Sequence, residues 1–341
     1  MGRGEIDPLK PKVIISAQLR DEVKEALRRL LNDVADVRFL TNWSSRDSLE
    51  EVMEAEALIA LHEYVDESLL RHASKLKVVS RFGVGYDRID VKACTKRGIY
   101  VTYTPNVLSN AVAELTFALM LCLSRRIMES DKYVRTKWAK AGRCAFPLRE
   151  DLAGKTLGII GLGRIGTEVA RRAKAFRMRI IYYDKIRRLN TEKDLGVEHV
   201  SLDELLRTSD FVSIHVPLTP ETTSLIGEEE LKKMKRTAYI INTSRGPVID
   251  EDALCRALEE RWIAGAGLDV FTKEPLPLDS PLIKMKNVVL TPHMGTHTVE
   301  TRHLMMSTVA EDVRRALTGK TPLNLVPKQK DVFPLKRKEG I

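Results

Sequence analysis

The stretch Thr156-Leu-Gly-Ile-Ile-Gly161-Leu-Gly163-Arg-Ile-Gly166 decides the fold. Its first five residues read as a strand, and Arg164–Phe176 repeats apolar residues at helical spacing. A G-x-G-x-x-G pattern joins them. Gly161 permits a tight turn, Gly163 leaves the backbone open to a close neighbour, and Gly166 lets helix and strand pack together. The next strand candidate, Met178–Tyr183, runs into Asp184, eighteen residues beyond Gly166.

Strand, glycine turn, helix, strand and terminal acid in this order make a dinucleotide-binding unit. A pyrophosphate rests on the unpaired N–H groups that open the helix, at the positive end of its dipole. The candidate cofactor contacts here are Gly161, Leu162, Gly163, Arg164, Ile165, Gly166 and Asp184. The Asp184 carboxylate suits the ribose hydroxyls of NAD and repels the 2′-phosphate of NADP. Lys185, Arg187 and Arg188 follow closely and soften that preference.

Outward from this unit, strand candidates alternate with helical stretches. Before it come strands at Val13–Ile15, Val37–Leu40, Ala57–Leu61 and Lys77–Ser80, and a helix at Arg20–Leu31. A helix at Ser109–Ser130 is apolar nearly all round, so it must be buried on more than one side. After it come strands at Phe211–His215, Ala238–Asn242, Ala264–Val270 and Asn287–Leu290. Ser201 and Glu204 form a capping box, and a closing helix spans Thr298–Leu317 with Gly319 as its C-cap. Such alternation predicts an α/β protein with doubly wound parallel sheets. The charged segment from residue 327 to 341 reads as a mobile tail.

Length and composition limit the function classes. At 341 residues the chain has room for two domains with real cores and needs no disulfides. Cys94, Cys122, Cys144 and Cys255 form no C-x-x-C pair, which fits a reducing cytoplasm. The longest nearly apolar run, Ala111–Leu123, is too short for a membrane span. The net charge is +9, but the last fourteen residues carry five positive and two negative charges, a third of the excess. No zinc-finger spacing or RNA-binding aromatic motif accompanies it, which argues against nucleic acid as partner.

Three later segments carry chemistry suited to hydride transfer on a carboxylate-bearing substrate. Asn242-Thr-Ser-Arg245 begins where a strand ends, and an arginine fork there can clamp a carboxylate. Gly267-Leu-Asp269-Val-Phe-Thr-Lys-Glu274-Pro275 and Leu290-Thr-Pro-His293-Met-Gly295 follow. Reducing a ketone needs a proton donor, and histidine is the default near neutral pH. Arg245, Glu274 and His293 supply an anion clamp, an orienting carboxylate and an acid/base. Residue types and spacing alone also allow a salt-bridged arginine, a turn glutamate and a loop histidine. His293 and His297 have metal-ligand spacing only on a helix, and Pro292 and Gly295 mark a loop; no metal is expected.

Together with GLGRIG, these segments resemble the D-isomer-specific 2-hydroxyacid dehydrogenases from about Lys12 to Val326. Phe82-Gly-Val-Gly-Tyr-Asp-Arg-Ile-Asp90 looks like that family's substrate loop, and Ala111–Leu119 like its dimer-forming helix. His215-Val-Pro-Leu-Thr-Pro-Glu-Thr222 looks like its loop over the cofactor's adenosine. The resemblance implies catalytic Arg245, Glu274 and His293, with substrate carboxylate bound by Val84, Gly85 and Arg245. It implies further NAD contacts from Val216, Pro217, Thr222, Thr243, Ser244, Arg245, Asp269, His293 and Gly295. It also implies a homodimer, a substrate domain of residues 1–103 and 296–326, and an NAD-binding Rossmann domain, residues 104–295, inserted into it. The active site is then expected in the cleft between them. Substrate identity stays open among glyoxylate, hydroxypyruvate and similar 2-oxo acids. Arg88 and Asn106 depart from the family's common Asn and Gly, and Arg88 bears on substrate choice. The C-terminal binding protein corepressors share these residue types, so an NAD-binding corepressor-like role is the alternative.

Overall fold

Runs of aliphatic and β-branched residues become strands buried on both faces, as parallel sheets under crossover helices require. The computed structural model describes residues 10–16, 19–40, 46–141 and 148–333, divided between two units. One unit takes the residues up to Leu108 and those from Thr298; the other is Ser109–His297. The boundaries expected from the sequence lie at 103/104 and 295/296.

The first unit contains β1 (Lys12–Ser16), β2 (Asp36–Leu40), β3 (Ala55–Ala60), β4 (Val78–Arg81) and β5 (Tyr100–Thr102), all parallel, in the order β2-β1-β3-β4-β5. The chain re-enters this unit through the helix Val299–Leu317, whose N-cap Thr298 Oγ1 accepts from Thr301 N–H. Near its end, Arg314 donates to Asp33 and to the Leu30 carbonyl (2.6 Å), tying the last helix to the first, Asp21–Leu31. Gly319 then adopts φ 75°, and Lys320 N–H donates to the Arg315 carbonyl, as a glycine C-cap does.

The second unit contains β6 (Thr156–Ile160), β7 (Arg179–Tyr183), β8 (Glu198–His199), β9 (Phe211–Ile214), β10 (Tyr239–Asn242), β11 (Gly265–Leu268) and β12 (Val288–Leu290). Its parallel sheet has the order β12-β11-β10-β9-β6-β7-β8. The order reverses between β6 and β9, so helices cover both faces and the strand ends there diverge into a ligand crevice. This is a doubly wound Rossmann sheet, inserted into the first unit.

Two expectations need correction. The helix from Ser109 ends at Arg125, and a second helix runs from Ile127 to Thr136. Arg126 sits between them at φ 50°, its carbonyl accepting from Ser130 N–H and Oγ (both 2.9 Å) and its guanidinium pairing with Glu129. The apolar surface of the first helix is largely accounted for inside its own unit, where Ala113, Phe117, Leu119 and Met120 join the core. The expected tail does not begin at residue 327. Gln329 is fully buried; its Oε1 accepts from Val101 N–H (2.6 Å), and its Nε2 donates to Thr95 Oγ1 and the Ile99 carbonyl (both 2.9 Å). Phe333 packs edge-on against Tyr100 at 4.9 Å. The remainder of that segment, with Cys144, lies outside the described residues. Among the described residues no helix is long and apolar enough to cross a membrane.

Gln329→Ala should therefore act as a core substitution. It strands buried backbone groups of Ile99 and Val101, at a cost on the order of 3 kcal/mol. Urea unfolding checks this; an unchanged midpoint would mean that the segment contributes nothing to the fold.

Candidate active site

The cofactor motif forms at the C-terminal end of β6. Gly161 adopts φ 94°, and its N–H donates to the Tyr183 carbonyl at 2.8 Å. A Cβ there would sit 2.8 Å from Val216 Cγ1. Gly166 approaches the Gly161 carbonyl so closely that a Cβ would fall 2.2 Å from its oxygen. Gly163 caps the helix Arg164–Ala175, and a Cβ on it would meet nothing within 4 Å. The turn is thus packed tight on its protein side and open where the helix N–H groups emerge, which fits a bound pyrophosphate. Arg164 is exposed on the first helical turn, while Ile165 packs into the core below.

Asp184 follows β7. Its Oδ2 accepts from Leu162 N–H (3.0 Å) and its Oδ1 from Ile186 N–H (3.1 Å). The carboxylate thereby ties the acid to the glycine turn. Across the switch point, Thr222 closes the loop after β9: Oγ1 donates to the Pro217 carbonyl (2.6 Å) and accepts from Thr219 N–H (2.8 Å). The structure thus gives Thr222 a loop-shaping task, with Val216 against Gly161. His215 follows the strand directly, its Nε2 2.8 Å from Ser213 Oγ. Burial pushes its imidazole down to about 3, so the ring is neutral.

The segments of Arg245, Glu274 and His293 lie at the ends of the neighbouring strands β10, β11 and β12. After β10, the buried Asn242 shapes the turn. Its Oδ1 accepts from Ser244 N–H (3.0 Å) and Oγ (2.9 Å), and its Nδ2 donates to the Arg245 carbonyl (2.9 Å). Thr243 is buried against Thr116, with hydroxyls 3.1 Å apart. Arg245 donates to the Ser244 carbonyl at 2.8 Å.

Glu274 uses both carboxylate oxygens. Oε1 accepts from Phe271 N–H (3.0 Å), and Oε2 lies 2.7 Å from His293 Nδ1. With Nδ1–H given to the carboxylate, the neutral ring presents Nε2 as its acceptor and the cation presents Nε2–H as its donor. The His293 side chain is 31% exposed.

His293 sits at φ 50°, an uncommon conformation for this residue. Asp269 sustains it. The His293 N–H donates to the Asp269 carbonyl (2.8 Å), and the Asp269 carboxylate accepts from Thr291 Oγ1 (2.6 Å), Met294 N–H (2.8 Å) and Gly295 N–H (2.9 Å). Burial pushes the Asp269 carboxyl above its usual range, against the pull of these donors. Sequence reasoning gives no role to Thr291, whose partner Asp269 follows the adjacent strand, or to Asn242, whose side chain braces the turn of its own segment.

The first unit holds the expected substrate loop. Arg81 Nε donates to the Gly85 carbonyl (2.6 Å) and Thr104 N–H to the Gly83 carbonyl (3.0 Å). Arg88 donates to the His62 carbonyl and stacks on the Tyr64 ring at 5.0 Å. Asn106 adopts φ 69°, a backbone region that asparagine tolerates where glycine is usual.

Comparison with known proteins places the chain in a family. Residues 117–295 match the family model for the D-isomer specific 2-hydroxyacid dehydrogenase, NAD binding domain. The chain is 49% identical over 326 residues to a glyoxylate reductase of Korarchaeum cryptofilum, covering 93% of this chain and 96% of that one. A crystal structure of the TT0316 protein of Thermus thermophilus superposes with a TM-score of 0.84 at 39% identity, covering 92% of this chain and 99% of that one. An NADPH-dependent glyoxylate/hydroxypyruvate reductase of Sinorhizobium meliloti, solved with NADP and malonate, gives 0.84 at 29% identity over 97% and 100%. The chain belongs to the D-isomer-specific 2-hydroxyacid dehydrogenases. It is an NAD-dependent oxidoreductase of that family.

The neutral His215 carries a stability consequence. Its pKa is lowered in the folded state, so the unfolded chain takes up a proton between about pH 6.5 and 3 that the folded chain refuses. Stability should fall as pH drops through that window, by up to ~1.4 kcal/mol per pH unit from this group. His215→Gln should flatten the decline in urea unfolding between pH 6.5 and 5; parallel profiles would contradict the assignment.

Proposed function

We propose that this chain reduces small 2-oxo acids such as glyoxylate or hydroxypyruvate to D-2-hydroxy acids, with NADH preferred over NADPH. The observation that carries the reading is the 2.7 Å contact of His293 Nδ1 with Glu274, at the strand edge next to the Arg245 turn. The names of the similar reductases support the substrate class, and the Asp184 carboxylate supports the cofactor preference.

When bound, NADH supplies the hydride. The chain does the rest. Arg245 holds the substrate carboxylate with its charged fork and draws electron density toward the carbonyl oxygen. His293 donates its Nε2 proton to that oxygen in reduction, and takes it from the hydroxyl in oxidation. Glu274 keeps the ring in the orientation and tautomer that both directions need. Val84 and Gly85 amides in the first unit are our further candidates for carboxylate donors. Gly295, Thr243, Ser244 and Asp269 line our proposed NAD contacts in the second.

We assign the protein to the cytoplasm, since Cys94, Cys122 and Cys255 are free thiols. We also assign it as a homodimer. Ile127, Met128, Val134 and Trp138 are exposed along one stretch beyond the helix Ser109–Arg125, apolar area that water disfavours. Sedimentation at micromolar concentration should give twice the chain mass of 38.6 kDa; a monomer would sink the assignment.

His293→Ala should lower kcat by ~10²–10⁴ while NADH binding stays intact. Arg245→Ala should raise KM for the oxo acid as well as lower kcat. Glu274→Gln places an amide where the carboxylate accepted, so the ring loses its orienting partner and kcat should fall with NADH binding unchanged. Steady-state kinetics with separate NADH titration checks all three. Near-normal turnover by His293→Ala would remove this mechanism; a wild-type protein that binds NADH but turns over no 2-oxo acid would favour the binding-protein alternative.

A further inference from the structure

Three cations follow Asp184 within four residues: Lys185, Arg187 and Arg188. An arginine fork suits a phosphate dianion, so each arginine here is a potential partner for the 2′-phosphate of NADP. Their settings differ. Arg188 reaches Asp184 itself, at 3.8 Å. The Arg187 fork is already taken. Its Nε lies 2.9 and 3.2 Å from the two Glu192 oxygens, and its Nη2 donates to Oε2 at 2.9 Å.

Glu192 is in turn fixed by its surroundings. The Tyr182 hydroxyl donates to its Oε1 at 2.6 Å and accepts from Arg188 N–H at 2.8 Å. Glu192 N–H donates to the Arg188 carbonyl at 2.9 Å, which closes the loop back on itself. The Glu192 side chain is 15% exposed, against 61% for Arg187. Arg187 and the Tyr182 hydroxyl hold its carboxyl down at about 2, so it is ionised in any ordinary buffer.

We propose that Glu192 is a specificity-determining residue: by claiming the guanidinium of Arg187, it withholds that fork from a 2′-phosphate and leaves the Asp184 carboxylate to reject NADP(H). The proposal rests on the NADH preference assigned above. It makes Glu192 a positioning residue that acts through Arg187. A merely structural clamp on the loop would instead affect both cofactors alike.

Calorimetric titration of the full-length protein with NADH and with NADPH tests this. Glu192→Gln keeps the size and an acceptor for Tyr182 but loses the charge that holds Arg187. NADPH should then bind roughly threefold to tenfold more tightly, the scale of one partly exposed charged contact, with NADH changed by less than about twofold. Arg187→Met breaks the same ion pair without freeing a cation, and should leave NADPH binding no tighter than in the wild type. The double variant Glu192→Gln/Arg187→Met should lose the gain. An unchanged NADPH-to-NADH ratio in Glu192→Gln, or a gain that survives in the double variant, would overturn the proposal. If the wild type itself binds NADPH more tightly, the Asp184 reading fails, and the comparison among the three variants still decides the role of Glu192.

Discussion

A carboxylate with almost no access to water holds the candidate active site together. Asp269 is 1% exposed at the end of β11, and its two oxygens accept three hydrogen bonds from Thr291, Met294 and Gly295. Its N–H donates to the Asn242 carbonyl and its own carbonyl accepts from His293 N–H. One residue thus joins the turn carrying Arg245, the strand leading to Glu274 and the loop carrying His293. Donors on every side stabilise the ionised form that burial opposes. These bonds over-determine the left-handed backbone at His293, where Nδ1 lies 2.7 Å from Glu274.

The dinucleotide half uses the same device with a different acid. Asp184 reaches back to Leu162 N–H, so the residue we propose to bind the ribose also braces the glycine turn. The neighbouring Tyr182–Glu192–Arg187 cluster extends this to the loop that follows, where placement of a cation matters as much as its presence.

The parallel sheets were legible because their strands are buried on both faces and read as short apolar runs between glycines and helices. Tyr100–Thr102 and Glu198–His199 escaped: the first is three residues long, the second only two, and Glu198 and His199 carry no apolar signal at the sheet edge. The break at Arg126 escaped because Ile127 and Met128 continue the apolar pattern through it. The docking of Gln329 escaped because three hydrogen bonds to distant residues leave no periodic trace. For Arg245, Glu274 and His293, residue type and spacing alone left bland alternatives open, and motif resemblance in the right order singled them out. What resemblance did not reveal is the support beneath them. Thr291 acquires meaning only when parallel pairing brings β11 and β12 side by side, and Asn242 only in the folded turn it braces.

The central claim concerns the handedness of the chemistry as well as its class. Glyoxylate cannot report it, since its product is achiral. Hydroxypyruvate can. Incubating the wild-type protein with NADH and hydroxypyruvate, then resolving the glycerate formed by chiral chromatography, tests the claim most directly. The account predicts NADH oxidation matched by D-glycerate alone. L-Glycerate, or no turnover by a protein that binds NADH, would contradict it.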